Sequence, residues 1–276
     1  MLAVKRLSGA LGGLVSGVDL SQDIPPDLTA ALRAALLEHQ VIFFRDQSLT
    51  PAQFLRFART MGTPVEYPFV KGIDGFAEII EVKKLEHERT NFGGVWHTDT
   101  AYLEQPPMGT MLLARELPPF GGDTLFANQY LAFESLSPTL QSVLAGLRAV
   151  NSSAKADVSK TREDRIKGGD GRDDARREYI AEHPVVRTHP ETGRRSLYVN
   201  TAHTVRFAGM TEEESAPLLQ YLHQHQVRLE FTCRFAWEPG SLAFWDNRCA
   251  LHNPVNDYNG YRRLMHRITL AGDRPA

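Results

Sequence analysis

The sequence predicts a mainly β protein with flanking helices, built around a jelly-roll barrel. Many short runs alternate apolar and polar residues with period two, Pro and Gly turns bound them, and helical periodicity is confined to the front of the chain and a few insertions. Pro25 and Pro26 open the first helix, in which Leu28, Leu32, Ala35 and Leu36 recur at helical spacing. Val41-Ile42-Phe43-Phe44 follows as a buried strand. Thr50-Pro51-Ala52-Gln53 has the form of a capping box with Pro at the first helical position, and Phe54, Phe57 and Ala58 make one apolar face before Gly62 stops that helix.

Short strands are expected at Ala77 to Val82 and at Met108 to Ala114, the second bounded by Pro106-Pro107 and Pro118-Pro119. Asn128 and Ser137-Pro138 start two short helices, and Thr211 to Glu214 is a second capping box ahead of Leu218, Leu219 and Leu222. The alternation of Leu229, Phe231, Cys233 and Phe235 with Arg228, Glu230, Thr232 and Arg234 predicts a half-buried strand. Glu238-Pro239-Gly240 then turns the chain into a strand from Ser241 to Trp245, and Arg262 to Ala271 alternates as the last one.

Composition narrows the class of function. A content of 42% hydrophobic and 23% charged residues is that of a globular domain, which excludes disorder as the main state. With 31 Lys+Arg against 33 Asp+Glu the chain lacks the basic excess that would favour nucleic acid or an anionic membrane surface. Cys233 and Cys249 cannot form a disulfide framework and are read as reduced thiols in the cytoplasm. Neither a signal peptide nor a membrane-spanning run is expected. Without a linker or an internal repeat, residues 1–276 are expected to form a single domain. Its one compositional shift, residues 151–177, carries eight Lys/Arg and six Asp/Glu with no aromatic residue, and is expected to be a mobile surface insertion that could serve as a lid.

The chemistry concentrates in Trp96-His97-Thr98-Asp99. In an extended segment residues i and i+2 share a face, so His97 and Asp99 project an imidazole and a carboxylate into one space. His252, expected in the loop beyond the Ser241 to Trp245 strand, can complete a set of two histidines and one carboxylate. That set leaves one face of an octahedral metal open, as in non-haem Fe(II) oxygenases. Arg263, Met265, Arg267 and Thr269 share one face of the last strand, so two cations roughly 13 Å apart would face the interior and call for an anion.

The pieces His39 to Gln47 (HQVIFFRDQ), Trp96 to Asp99 (WHTD), Gly121 to Asn128 (GGDTLFAN), His183 to Asn200, Trp245 to His252 (WDNRCALH) and Arg262 to Arg267 (RRLMHR) extend the pattern over nearly the whole chain. With these pieces the sequence resembles the taurine dioxygenase and 2,4-D dioxygenase family of Fe(II)/2-oxoglutarate-dependent oxygenases. The resemblance implies a double-stranded β-helix, the cupin-like form of the jelly roll. It implies Fe(II) on His97, Asp99 and His252, with 2-oxoglutarate and O2 as cosubstrates. By position Arg267 and Thr124 would hold the distal carboxylate of 2-oxoglutarate, Arg263 would stand near the keto-acid end, and Trp245 would wall the pocket.

Succinate, CO2 and a substrate hydroxylated at a C–H bond are the implied products. Tyr67, Phe69, Asn91, His203 and Arg206 are the candidates to line the substrate side. Taurine-specific relatives carry other residues at Tyr67, Val70 and His203, so their pocket is not reproduced. The implied substrate is a small organic anion: a sulfonate, sulfate ester or aryloxyalkanoate. A homodimer or homotetramer is implied too. From the ligand set alone, a zinc hydrolase or a non-catalytic jelly-roll binding protein stays open as an alternative. His183 and His189 are read as structural hydrogen-bonding residues, His223 and His225 as helix-end cations, and His266 as core.

Overall fold

Alternate residues of Val41–Phe44 feed two different cores, and that split organises the fold. Ile42 and Phe44 pack with the front helices, whereas Val41 and Phe43 face the barrel interior. A computed structural model of the protein describes residues 2–155 and 178–276. Its chain begins with the strands β1 (Ala3–Arg6) and β2 (Gly13–Ser16), helix α1 (Pro26–His39), β3 (Val41–Phe44) and α2 (Pro51–Met61). Next come β4 (Pro64–Val65), β5 (Ile79–Lys84), β6 (Gly109–Glu116) and β7 (Thr124–Asn128), then α3 (Gln129–Glu134) and α4 (Pro138–Ala145). The middle holds β8 (Arg148–Ser152), β9 (Ile180–Pro184), β10 (Val186–Thr188), β11 (Arg195–Leu197), β12 (Thr204–Phe207) and α5 (Glu212–His225). The chain closes with β13 (Thr232–Phe235), β14 (Leu242–Asp246), β15 (Ala250–Pro254) and β16 (Arg263–Leu270).

Eight strands form the main sheet in the order β1-β2-β3-β14-β6-β16-β4, with β5 also paired to β16. A three-stranded sheet, β13-β7-β15, contributes Phe126, Cys233 and Phe235 to the interior core. Met111, Leu113, Leu242, Phe244, Ile268 and Leu270 of the main sheet meet Leu32, Leu36, Phe54 and Phe57 of the helices. Their strand neighbours Leu112, Ala114, Ala243, Trp245 and Met265 point inward. Both faces are therefore buried, which explains why these strands read as nearly continuous apolar runs. A second assembly, β12-β8-β9 with β10-β11, packs on α3 and α5 around Phe133, Phe207 and Leu222.

Both capping boxes form: Thr50 and Thr211 each accept from the backbone N–H three residues on, and Gln53 and Glu214 reciprocate. Asn128 caps α3 and Ser137 caps α4. The expected strand through Leu229 is shorter than its alternation suggests. Leu229–Phe231 is a 3-10 turn, closed by the Thr232 hydroxyl on Leu229 O at 3.0 Å, and Leu229 is 88% exposed. Within the expected lid insertion, Asn151 and Ser152 belong to β8 and are buried, a correction at its edge, while residues 156–177 lie outside the described residues. Among the described residues no helix is long and apolar enough to cross a membrane.

Candidate active site

His97 and His252 are directly opposed residues of one antiparallel bridge, each backbone N–H donating to the other's carbonyl at 3.0 and 2.8 Å. His252 thus lies within β15, not in a loop as the sequence suggests, because the WHTD segment adds itself to the free edge of that strand. The two ring centres lie 4.0 Å apart, and Asp99 Oδ1 stands 3.7 Å from the Nε2 atom of each. One donor atom from each of the three side chains lies within 4.8 Å of the others, and all three residues are buried.

Hydrogen bonds fix the ligand atoms. His97 Nδ1 donates to Val95 O at 2.7 Å, which leaves the Nε2 lone pair for a metal. Asp99 Oδ2 accepts from the Thr110 hydroxyl at 2.6 Å, and Thr110 in turn accepts from Asn247 Nδ2 at 3.0 Å. Asn247 Oδ1 accepts from Trp245 Nε1 and from the Asp99 backbone, while Asn247 O accepts from the Thr98 hydroxyl. Thr110 and Asn247 hold the site but were not singled out from sequence. The only signals were a polar residue inside the GTMLLA strand and the amide of the WDN triplet.

Burial alone would raise the Asp99 pKa, but Arg267, His252, His97 and the Thr110 hydroxyl hold it below the ordinary carboxylate range. Burial pushes both imidazoles the other way, His252 furthest. An ionised carboxylate beside two neutral imidazoles is the protonation state that ligates a divalent cation.

A cavity opens beside the triad, bounded among others by Lys84, Thr124, Trp245, Arg263 and Arg267. Neither arginine is on a solvent face: both are buried, on a strand flanked by β6 and β5. Their positions reverse the sequence-based pairing of Arg267 with Thr124. Arg267 Nη2 lies 3.0 Å from Asp99 Oδ1, at the level of the triad. Thr124 instead shares the far end with Arg263: its hydroxyl accepts from Trp237 Nε1 at 3.0 Å, and the Arg263 guanidinium stands 5.7 Å from the Trp237 ring centre. Strand geometry is the reason, because the four-residue step along β16 carries Arg263 roughly 13 Å from Arg267. Thr124 is likewise one repeat beyond the level of His252, opposite Pro254.

Arg263 is buried, and its Nε and Nη2 find no hydrogen-bond partner among the described residues. A buried guanidinium in that state fits a site for a carboxylate. The residues present therefore fit both a divalent metal and a 2-oxo dicarboxylate.

Tyr67, Phe69 and His203 stand on the other side of the triad. Tyr67 lies under the Arg267 guanidinium at 5.0 Å, Phe69 packs edge-on against Tyr67 and Tyr102, and His203 is 6.1 Å from His97 and 4.9 Å from Tyr102. Burial lowers the His203 pKa to about 3. Asn91 reaches the cavity while donating to Pro254 O and Val255 O. Arg206 is not brought here. A register shift in the β12–β8 pairing turns it onto the Phe207 and Met210 carbonyls.

His183, His225 and His266 are held structurally. His183 Nε2 donates to Leu103 O, and His225 Nε2 donates to Ala132 O. His266 is buried opposite Leu113, on the strand face away from Arg267. His189, Asp246 and Cys249 also converge, but Asp246 is saturated by Arg248 and His189, which leaves no lone pair facing a metal.

Gly93 gives a local test of the ligand loop. Its φ is +68°, and a Cβ there would come 2.9 Å from His97 Cε1. Gly93→Ala is expected to weaken Fe(II) binding roughly tenfold by displacing that ring. At Gly94, where φ is not positive and a Cβ meets nothing closer than 3.4 Å, Ala should leave affinity unchanged in the same anaerobic metal titration.

Comparison with known proteins agrees with this geometry. Residues 3–269 match the family described as taurine catabolism dioxygenase TauD, TfdA family. The chain is 36% identical to an alpha-ketoglutarate-dependent sulfate ester dioxygenase of Pseudomonas putida, covering 99% of this chain and 91% of that protein. It is 35% identical to an alkylsulfatase of Acinetobacter baylyi, covering 99% and 86%. A crystal structure of a taurine dioxygenase from Burkholderia xenovorans superposes with a TM-score of 0.83 at 37% identity, covering all of this chain and 92% of that one. The jelly-roll barrel, the buried His-Asp-His set and a match over nearly the whole length make the chain a member of the TauD/TfdA family of dioxygenases that use Fe(II), 2-oxoglutarate and O2.

Proposed function

We propose that the protein hydroxylates a C–H bond of a small organic anion, with sulfate esters the favoured class ahead of sulfonates and aryloxyalkanoates. One observation carries the reading: the buried His-Asp-His set opens on a cavity whose far end holds a buried arginine with unsatisfied N–H groups. In this assignment His97, Asp99 and His252 hold Fe(II). Arg263 and the Thr124 hydroxyl take the distal carboxylate of 2-oxoglutarate, and Trp245 walls its chain. When bound, Fe(II) would activate O2, the oxidant; 2-oxoglutarate would supply two electrons and leave as succinate and CO2, one oxygen atom going to succinate and the other to the substrate carbon.

The protein's own groups orient and exclude water. Arg267 stands between the triad and the aromatic wall of Tyr67 and Phe69, where it offers a cation to the substrate's anionic group. His203, beside His97 and Tyr102, borders the substrate side, whereas Asn91 lines the cavity with its amide engaged by Pro254 O, Val255 O and the Tyr258 hydroxyl. If hydroxylation falls on the carbon bearing the sulfate, the product collapses to an aldehyde and sulfate. The two relatives that act on sulfate esters or alkyl sulfates support that class. A zinc hydrolase or a non-catalytic binding protein does not fit the family.

We further place the protein in the cytoplasm, consistent with its two buried free thiols, as a single domain and a homo-oligomer, the last to be checked by light scattering. The central test is anaerobic titration of the Fe(II)-loaded protein with 2-oxoglutarate. A weak visible charge-transfer band is expected in the wild type, absent in His97→Ala and weakened in Arg263→Ala. Succinate release is then measured across alkyl sulfates, sulfonates and aryloxyalkanoates. No band in metal-replete protein would overturn the cosubstrate assignment, and no stimulation by any of these anions would overturn the substrate class.

A further inference from the structure

Two buried cations lie side by side on neighbouring strands at the far end of the cavity. In the antiparallel pairing of β16 with β5, Arg263 is directly opposite Lys84, and the two residues are 4% and 3% exposed. Both line the cavity. Like charges directly opposed on neighbouring strands repel, more so away from water. Among the described residues neither has a carboxylate within ion-pair distance.

Lys84 is held by neutral groups. Its ammonium donates to Asn256 Oδ1 at 2.6 Å and Asn259 Oδ1 at 3.3 Å, and stands 4.3 Å from the centre of the Tyr258 ring. Those contacts fix its position, and the carboxylates that act on the pair, Glu88 and Asp257 on Lys84 and Asp123 on Arg263, do so from beyond ion-pair distance. Tyr258 in turn donates to Asn91 Oδ1, which ties the loop between β15 and β16 to the cavity wall.

We propose that Lys84 is a specificity-determining residue for the cosubstrate, the second cation of the far-end pocket, which makes the protein select a 2-oxo acid with a distal carboxylate over one without it. The inference rests on the reading of this cavity as the 2-oxoglutarate pocket. Arg263 with Thr124 supplies the directional contacts; Lys84 supplies a fixed positive potential from the neighbouring strand. A ligand whose tail is neutral leaves two cations opposed, whereas a carboxylate tail relieves both.

The test compares two ligands that differ only at the distal end, 2-oxoglutarate and 2-oxopentanoate. Each is titrated anaerobically into Fe(II)-loaded protein, with the charge-transfer band and quenching of tryptophan fluorescence as readouts independent of turnover. In Lys84→Met the dissociation constant for 2-oxoglutarate is expected to rise about tenfold while that for 2-oxopentanoate changes less than about twofold. Lys84→Arg should restore most of the preference. Asn256→Ala, which loosens the loop but keeps the charge, should leave the ratio of the two constants unchanged.

Equal weakening of both ligands in Lys84→Met, or a ratio that moves as much in Asn256→Ala, would overturn the proposal and make Lys84 a prop for the loop. Unchanged 2-oxoglutarate affinity in Lys84→Met would overturn it as well. Failure of the wild type to bind 2-oxoglutarate has a different signature, and would remove the cavity assignment itself.

Discussion

Asp99→Ala is expected to abolish Fe(II) binding at micromolar metal and to lower 2-oxoglutarate turnover by at least about a thousandfold. The carboxylate is the only anion among the three donors, and both imidazole Nε2 atoms face its Oδ1 at 3.7 Å. Two neutral imidazoles alone neither balance the charge of a divalent cation nor define the open face of the site. Removing the carboxylate also strips Arg267, 5% exposed, of the oxygen 3.0 Å away. A buried cation left unpaired costs roughly 3–5 kcal/mol, so this variant should lose stability as well as metal. Asp99→Ala/Arg267→Met separates the two effects. Anaerobic metal titration should give no Fe(II) binding in either variant, while thermal unfolding should recover in the double variant. Wild-type-like metal affinity in Asp99→Ala would remove Asp99 from the ligand set.

What could be read from the sequence was local in origin. The apolar run Val41–Phe44 and the period-two alternation of Arg263–Leu270 follow from strand geometry, and both capping boxes are contained within four residues. The triad was legible because His97 and Asp99 share a face by spacing and His252 matches a family pattern. Contacts across long separations were not legible. Thr110 and Asn247 meet 137 residues apart to orient Asp99, and no periodicity marks either. Which arginine meets Thr124 depends on how β7, β15 and β16 are staggered, and no local alternation encodes that stagger. Arg206 and Leu229 fail for a related reason: a register shift in one case and a 3-10 turn in the other break the alternation that sequence reading assumes.

Asp246 yields the largest expected loss of stability outside the metal set. It is fully buried, and its two oxygens accept four hydrogen bonds. Three come from Arg248, through the backbone N–H, Nε and Nη2 at 2.9, 2.8 and 2.6 Å, and one comes from His189 Nε2 at 3.0 Å. Arg248 Nη1 continues to Glu191 at 2.7 Å, and Glu191 pairs with Arg33 of α1. The network therefore ties the end of β14 to the front helix and to the turn after β10. Burial by itself would raise the Asp246 pKa, but Arg248 and His189 hold it below the ordinary range, so the carboxylate is ionised at neutral pH. Asp246→Ala takes three hydrogen bonds from Arg248 and one from His189, and leaves the buried guanidinium with Glu191 as its remaining carboxylate. A loss of roughly 3–5 kcal/mol is expected, read as a Tm lower by about 10 °C. Because Asn247, the next residue, fixes Thr98 and Thr110, the surviving fold should also bind Fe(II) more weakly. Asp246→Ala/Arg248→Met removes the guanidinium that has lost its main partner and should regain part of the stability. A Tm within about 2 °C of wild type in Asp246→Ala would show that the network is not what holds this corner of the barrel together.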